Sequence, residues 1–123
     1  MANRLGCVSV ELVGAADFPT LKKQALACAI VQINMNPDPP FLKGFNNPDH
    51  WPKLMKATEE AIDAAASFGS PSVICFTGYS ARNPSDPESK HIAPEKGTKD
   101  CVEGLKKSSA TRRRRTSTFA WRC

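Results

Sequence analysis

The residues best placed for chemistry in this sequence follow a short apolar run. Residues 73–76 are preceded by Pro71 and followed by a loop that carries Gly78, Tyr79 and Arg82. A continuous apolar run bounded by Pro and Gly is typical of a strand buried on both faces, as in parallel sheets covered by helices. Ligands of such sheets bind at the carboxyl ends of the strands. The sequence therefore predicts that these three loop residues line a binding pocket.

Two further side chains could take part in chemistry, and each stands alone in the sequence. Glu11 lies near the end of an alternating run, residues 8–13, where it is either a carboxylate of a pocket wall or a polar residue on the second face of a strand, and we favour the latter. His50 is the candidate acid, base or metal ligand of the proline-rich loop 34–50, but it has no partner at metal-ligand spacing. Loops of this length are often functional, and the alternative is an excursion around the sheet edge.

The elements that must position these residues are predicted from hydrophobic periodicity and from Gly and Pro signals. Three strands are predicted at about 8–13, 27–33 and 72–76, and three helices at about 18–25, 50–68 and 96–107. The helix before Gly69 has apolar residues three and four positions apart, which makes it the clearest of the three. Strand, helix, strand repeats form parallel sheets with right-handed crossovers, so the predicted class is α/β.

Composition limits the class of protein further. A chain of 123 residues has room for one domain with its own core. No apolar stretch approaches the length of a membrane span, and the N-terminus has no secretory signal pattern, so we expect a cytoplasmic protein without a membrane partner.

The five cysteines are odd in number and lack C-x-x-C spacing, which disfavours a disulfide framework or a zinc site. Cys28 and Cys75 are predicted to be buried core residues.

The net charge of +5 comes from one end of the chain. Residues 1–107 hold 12 basic and 12 acidic residues, whereas residues 108–123 hold five arginines and no acid. Because the body is neutral, any argument for a nucleic-acid partner concerns the tail alone, and we do not expect nucleic acid as the partner of the body.

Three segments together resemble one family. They are L-K-G-F-N-N-P-D-H-W from Leu42, A-I-D-A-A-A-S-F-G-S-P-S-V-I-C-F-T-G-Y-S-A-R from Ala61 and D-C-V-E-G-L-K-K from Asp100. The combination is similar to the hydroxypyruvate isomerase group of xylose isomerase-like TIM barrels, and it covers most of residues 5–107. The resemblance implies that the three predicted strands are the second, third and fourth of an eight-stranded barrel, so that residues 1–107 form a partial barrel.

The resemblance also implies an activity. Enzymes of this family interconvert an aldehyde and a neighbouring ketone through an enediolate, commonly with a divalent metal and opposed glutamates. The substrate would be a small carbohydrate or keto acid. The glutamates and metal ligands of the family lie on later strands that are absent from this sequence, so this chain is expected to bind no metal and to be inactive as an isomerase.

Only pocket positions of the first half of the barrel carry over from the family to this chain. They are Glu11, Asn34, His50, Gly78, Tyr79 and Arg82. The family often has S-G-N-R where residues 77–82 read T-G-Y-S-A-R, so the match of Arg82 is displaced by an insertion. Three strands cannot close a barrel, and the open edges favour self-association.

The tail, residues 108–123, has three interpretations. It could be a basic arm that binds phosphates while Phe119 or Trp121 stacks on bases, which would make the protein a small α/β binding module with a nucleic-acid arm. It could carry a phosphorylation site. We favour a frameshift: one choice of codons, read one base earlier, encodes V-V-G-Y-A-E-E-E-N-V-D-L-R-M-E-V. The sequence encoded by that frame would continue the last helix and add a strand with Glu at position 122. If the tail results from a frameshift, the actual residues 108–123 are expected to be disordered.

Overall fold

The computed structural model describes residues 2–86 and 88–113. Strands and α-helices alternate along them: β1 Ser9–Val13, α1 Phe18–Lys23, β2 Ala27–Gln32, α2 Trp51–Phe68, β3 Val73–Ile74 and α3 Pro94–Arg113. Short 3-10 turns lie at Ala2–Leu5, Ala15–Asp17 and Pro48–His50. The three strands form a parallel sheet in the order β1-β2-β3. The predicted class, α/β with three parallel strands and intervening helices, is confirmed.

The ends of α1 and α2 follow from their local sequences. The side chain of Asn47 accepts a hydrogen bond from the backbone N–H of Asp49 and so caps the turn that leads into α2. Gly69 ends α2 with a left-handed backbone, φ 83°, and donates its N–H to the carbonyl of Ala65. Helix α1 is shorter than predicted because Ala25 adopts φ 52°, a left-handed conformation that a helix cannot continue through.

The core lies between the sheet and α2. Leu54 and Ala65 of α2 have no exposed surface, and they belong to one buried cluster with Val31 of β2 and Val73 of β3. Burying a leucine of this kind stabilises the fold by about 1.5–3 kcal/mol. Two buried residues of this cluster are Cys28 and Cys75, so their predicted burial is confirmed.

Strand β3 is shorter than the predicted 72–76. It pairs with β2 only at Val73 and Ile74. Beyond it the carbonyls of Phe76 and Thr77 accept hydrogen bonds from the loop that follows β2, at 3.2 and 2.9 Å, so the backbone leaves the sheet to pair with that loop.

Helix α3 is longer than the predicted 96–107. It begins at Pro94 and continues through Arg113. The helix thus extends beyond the predicted end at about 107, and residues 108–113, which we expected to be disordered, are helical. The rest of the tail, with Phe119, Trp121, Arg122 and Cys123, lies outside the described residues.

Candidate functional site

Two loops at the carboxyl ends of the strands bind each other through their backbones. We call residues 41–50, after β2, and residues 76–82, after β3, the crossed loops. The N–H groups of Phe45 and Asn46 donate to residues 76 and 77, and the N–H of Tyr79 donates to the carbonyl of Leu42 at 3.2 Å. These bonds fix both loops at the carboxyl ends of the strands, which is where parallel α/β proteins bind ligands.

Gly44 and Gly78 lie where the crossed loops touch. A Cβ on Gly44 would come within 2.1 Å of the backbone of Thr77, and a Cβ on Gly78 would come within 2.5 Å of the backbone of Gly44. Gly78 also has φ 93°. Only glycine fits both positions, so the structure gives Gly78 the role of letting two backbones approach.

Two asparagines, which the sequence did not single out as site residues, hold the second loop to the first. Asn46 donates its side-chain N–H to the carbonyl of Tyr79 at 2.7 Å, and Asn47, 4% exposed, donates to the carbonyl of Arg82 at 3.2 Å. The only signal for them in the sequence was the N-N-P-D pattern, which also suits a helix cap. Together they hold the backbone of Tyr79 and of Arg82 against the loop that contains His50.

The aromatic side chains of the crossed loops form an exposed cluster. The ring of Phe41 lies 6.3 Å from that of Phe76, edge to face, and 6.2 Å from that of Tyr79. Phe41 and Tyr79 are 46% and 51% exposed. Because their backbones are fixed by the bonds described above, these rings offer a rigid apolar surface to a ligand.

Arg82 forms an exposed ion pair with Asp49. Its Nη2 atom lies 3.4 Å from Oδ2 of Asp49, and both side chains are more than half exposed. An ion pair of this length in water contributes little to stability. The guanidinium of Arg82 is therefore available to an incoming anion.

His50 is half-buried at the end of the first crossed loop. Its Nδ1 atom is buried and has no hydrogen-bond partner among the residues that the structure describes. Burial lowers the pKa of His50, and the positive charge of Lys43 lowers it further. The imidazole is therefore uncharged at neutral pH.

Two lysines hold the carboxylate of Asp38 near His50. The Nζ atom of Lys43 lies 2.8 Å from Oδ2 of Asp38, and that of Lys53 lies 3.4 Å from the same oxygen. Lys53 also donates to the carbonyls of Met35 and Asn36, at 2.8 and 2.9 Å. The hydrogen bond from Lys43 lowers the pKa of Asp38, so this cluster stays charged and fixes the loop after β2.

Asn34 and Glu11 lie apart from the crossed loops. Asn34 lines a cavity of about 350 Å³ between the carboxyl ends of β1 and β2 and helix α2, where its side chain accepts a hydrogen bond from the N–H of Asn36. Glu11 is exposed on β1. The six predicted pocket residues therefore divide: Gly78, Tyr79, Arg82 and His50 meet at the crossed loops, and the other two do not join them there.

Within residues 2–86 and 88–113, no group of three or more His, Cys, Asp and Glu side chains is arranged to hold a metal ion. No helix in this part of the chain is both long and apolar enough to cross a membrane. The fold and the site thus define an α/β unit with a three-stranded parallel sheet and two interlocked loops at the carboxyl ends of its strands. No family model, curated protein or solved structure matches the chain.

Proposed function

We propose that the crossed loops form the substrate-binding wall of a hydroxypyruvate isomerase-like enzyme of the xylose isomerase-like class. The observation that carries the proposal is the joint position of Tyr79, Arg82 and His50 on two interlocked loops at the carboxyl ends of parallel strands. Ligands of parallel α/β folds bind at the carboxyl ends of the strands. We infer in addition that the protein works in the cytoplasm, which its cysteine number and spacing favour.

The substrate class is a small keto acid or carbohydrate. Arg82 would bind the carboxylate of a keto acid through two parallel N–H donors, replacing its weak pair with Asp49. Tyr79 would donate its phenol hydrogen to a substrate hydroxyl. The uncharged imidazole of His50, at the end of the first crossed loop, has one donor and one acceptor nitrogen, of which Nδ1 is buried.

The chain is proposed to bind substrate without isomerising it. Moving a proton between neighbouring carbons requires a base, and the enediolate oxygens need a cation or hydrogen-bond donors. The carboxylates of the loop after β2 are already paired, Asp38 with two lysines and Asp49 with Arg82. Residues in such a basic setting do not suit a divalent cation, so we derive no metal-dependent step here.

Titration of the isotopically labelled chain with hydroxypyruvate, followed by NMR, tests the proposed site. Saturable shifts are expected in residues 41–50 and 76–82. Arg82→Ala should raise the Kd about tenfold or more, because it removes a charge-assisted hydrogen bond. Arg4→Ala is the matched control, since Arg4 is exposed at the other end of β1, and it should leave the Kd unchanged.

A turnover assay tests the second part of the proposal. Hydroxypyruvate incubated with the chain and Mg²⁺ or Mn²⁺ should not isomerise above the protein-free blank. Turnover that Arg82→Ala abolishes would show that the chain is itself an isomerase. Absence of any binding would remove the proposed site altogether.

A further inference from the structure

The cavity of about 350 Å³ that Asn34 lines lies where β1 turns away from β2. The pairing of these two strands ends at Val13 and Val31, and the chain then forms the turn Ala15–Asp17, which packs against α2. The end of β2 and the loop after it form another wall. None of the lining residues belongs to the crossed loops. The volume is at the lower end of the range for small-molecule pockets, so the cavity suits a small ligand.

The inner part of the cavity is apolar. Val31, Ile33 and Met35, which are alternate residues at the end of β2, line it and are almost fully buried. Alternate residues of a strand point to the same face of the sheet, and here that face meets α2. Ala57 and Ala61 of α2 line the cavity and are also buried. Their small side chains leave space between helix and strand, so an aliphatic group can be buried here.

The outer part of the cavity is acidic. Its described lining residues include Asp17, Asp38 and Glu60 and no Lys, Arg or His. Asp38 is already paired with two lysines outside the lining. Asp17 is exposed and its side chain does not cap the helix that follows it, and Glu60 is exposed with the ammonium of Lys56 3.9 Å away. The carboxylates of Asp17 and Glu60 are therefore available on the solvent side of the cavity.

These charges determine the class of ligand. An anion would be repelled by the carboxylates. A divalent metal ion needs several ligands that converge on it, and no group of three or more His, Cys, Asp and Glu side chains in the described part of the chain is arranged in that way. A singly charged organic cation does not need such convergence. Its charge can lie beside exposed carboxylates while its carbon chain leaves water.

We propose that the cavity binds a small alkylammonium ion. The charged head lies at the opening, between the carboxylates of Asp17 and Glu60. The aliphatic chain enters the apolar part beside Ala57 and Ala61. This site is separate from the substrate-binding wall proposed at the crossed loops, so either site can bind its ligand without the other.

Titration of the isotopically labelled chain with n-butylammonium, followed by NMR, tests the proposal. Saturable shifts are expected in residues 14–17, 31–36 and 57–61 and not in residues 76–82. 1-Butanol has the same carbon chain without the charge, and it should bind about fivefold more weakly, which is the effect of losing an exposed ion pair. Butanoate should not bind measurably. Absence of saturable shifts with n-butylammonium, or equal affinity for 1-butanol, would overturn the proposal.

Asp17→Asn and Glu60→Gln test the position of the charged head. Both side chains are exposed, so the variants should keep the fold. Each change should raise the Kd of n-butylammonium about twofold to threefold, and the double variant should bind n-butylammonium and 1-butanol equally. Glu59→Gln is the matched control, because Glu59 adjoins Glu60 in α2 without lining the cavity, and it should bind like the wild type. A double variant that still prefers n-butylammonium would contradict the proposed contacts.

Discussion

Gly104 allows α3 to approach the rest of the molecule closely. A Cβ at this position would lie 2.7 Å from the ring of Phe45 and 3.0 Å from that of Trp51. Phe45 is 1% exposed, and the indole N–H of Trp51 donates to its carbonyl at 3.0 Å, so neither ring can move easily. The ammonium of Lys107 lies over the ring of Trp51, 4.6 Å from its centroid.

Replacing Gly104 by Ala should lower the free energy of unfolding by about 1–3 kcal/mol, because overpacking outweighs the gain of about 1 kcal/mol in helix propensity. Gly97→Ala is the matched control: a Cβ there would meet Ile92 at 3.5 Å, an ordinary contact, so this change should be neutral or stabilising. Urea denaturation followed by circular dichroism measures both. A stable Gly104→Ala would mean that α3 packs less closely than described.

His50 gives the stability of the protein a pH dependence. Its folded-state pKa is lowered by burial, while the unfolded chain has the ordinary value of about 6.5. Between these two values the unfolded state binds more protons than the folded state, so stability falls as the pH decreases from about 6.5. The loss is complete below the folded-state pKa.

His50→Gln should weaken this dependence between pH 7.5 and about pH 5.5, since glutamine does not titrate. The urea midpoint of the wild type should decrease more over this interval than that of the variant. Equal decreases in both proteins would show that other groups cause the effect. An NMR titration of the His50 ring gives the direction of its pKa shift directly.

Helix α3 contains a buried polar atom without a partner. The hydroxyl of Ser108 has no hydrogen-bond partner within residues 2–86 and 88–113, although the residue is 3% exposed. Position 108 is also the first at which the alternative reading frame differs, and that frame places Val there. An apolar residue would suit this burial better than Ser, and the frameshift interpretation of the tail stays a prediction.

Ser108→Ala should raise the free energy of unfolding by about 1–2 kcal/mol, through removal of the unsatisfied hydroxyl and better helix propensity. Ser109→Ala, at the half-buried neighbouring position, gains helix propensity alone and should stabilise less. The difference between the two variants, measured by thermal and urea denaturation, isolates the cost of the buried hydroxyl. A Ser108→Ala variant that is less stable than the wild type would show that the hydroxyl has a partner in solution.

The net charge of the molecule is unevenly distributed along the chain. Residues 1–107 have no net charge, and residues 108–123 are basic. Deleting residues 114–123 removes Arg114, Arg115 and Arg122 and keeps the described part of α3. The NMR shifts caused by hydroxypyruvate should not change, because the crossed loops contain none of these residues. A nucleic-acid-binding module predicts a different result: salt-dependent binding to DNA or RNA that disappears with the deletion.

The sequence by itself determined the types and order of the elements. Alternation and apolar runs identified the three strands, the spacing of three and four identified α2, and Gly69 marked its end. These features depend on residues close together in the chain, where periodicity and backbone freedom act directly. The burial of Cys28 and Cys75 was predictable for the same reason.

Only the tertiary structure decided how the candidate residues are grouped. Asn46 and Asn47 bond to residues 33 and 35 positions further along, and no local pattern encodes such bonds. Their contacts bring the backbone of Tyr79 and of Arg82 to the loop that contains His50, while Glu11 is exposed on β1. The length of α3 was also not evident from composition, because the helix continues through Arg113, past the end at about 107 that the sequence suggested.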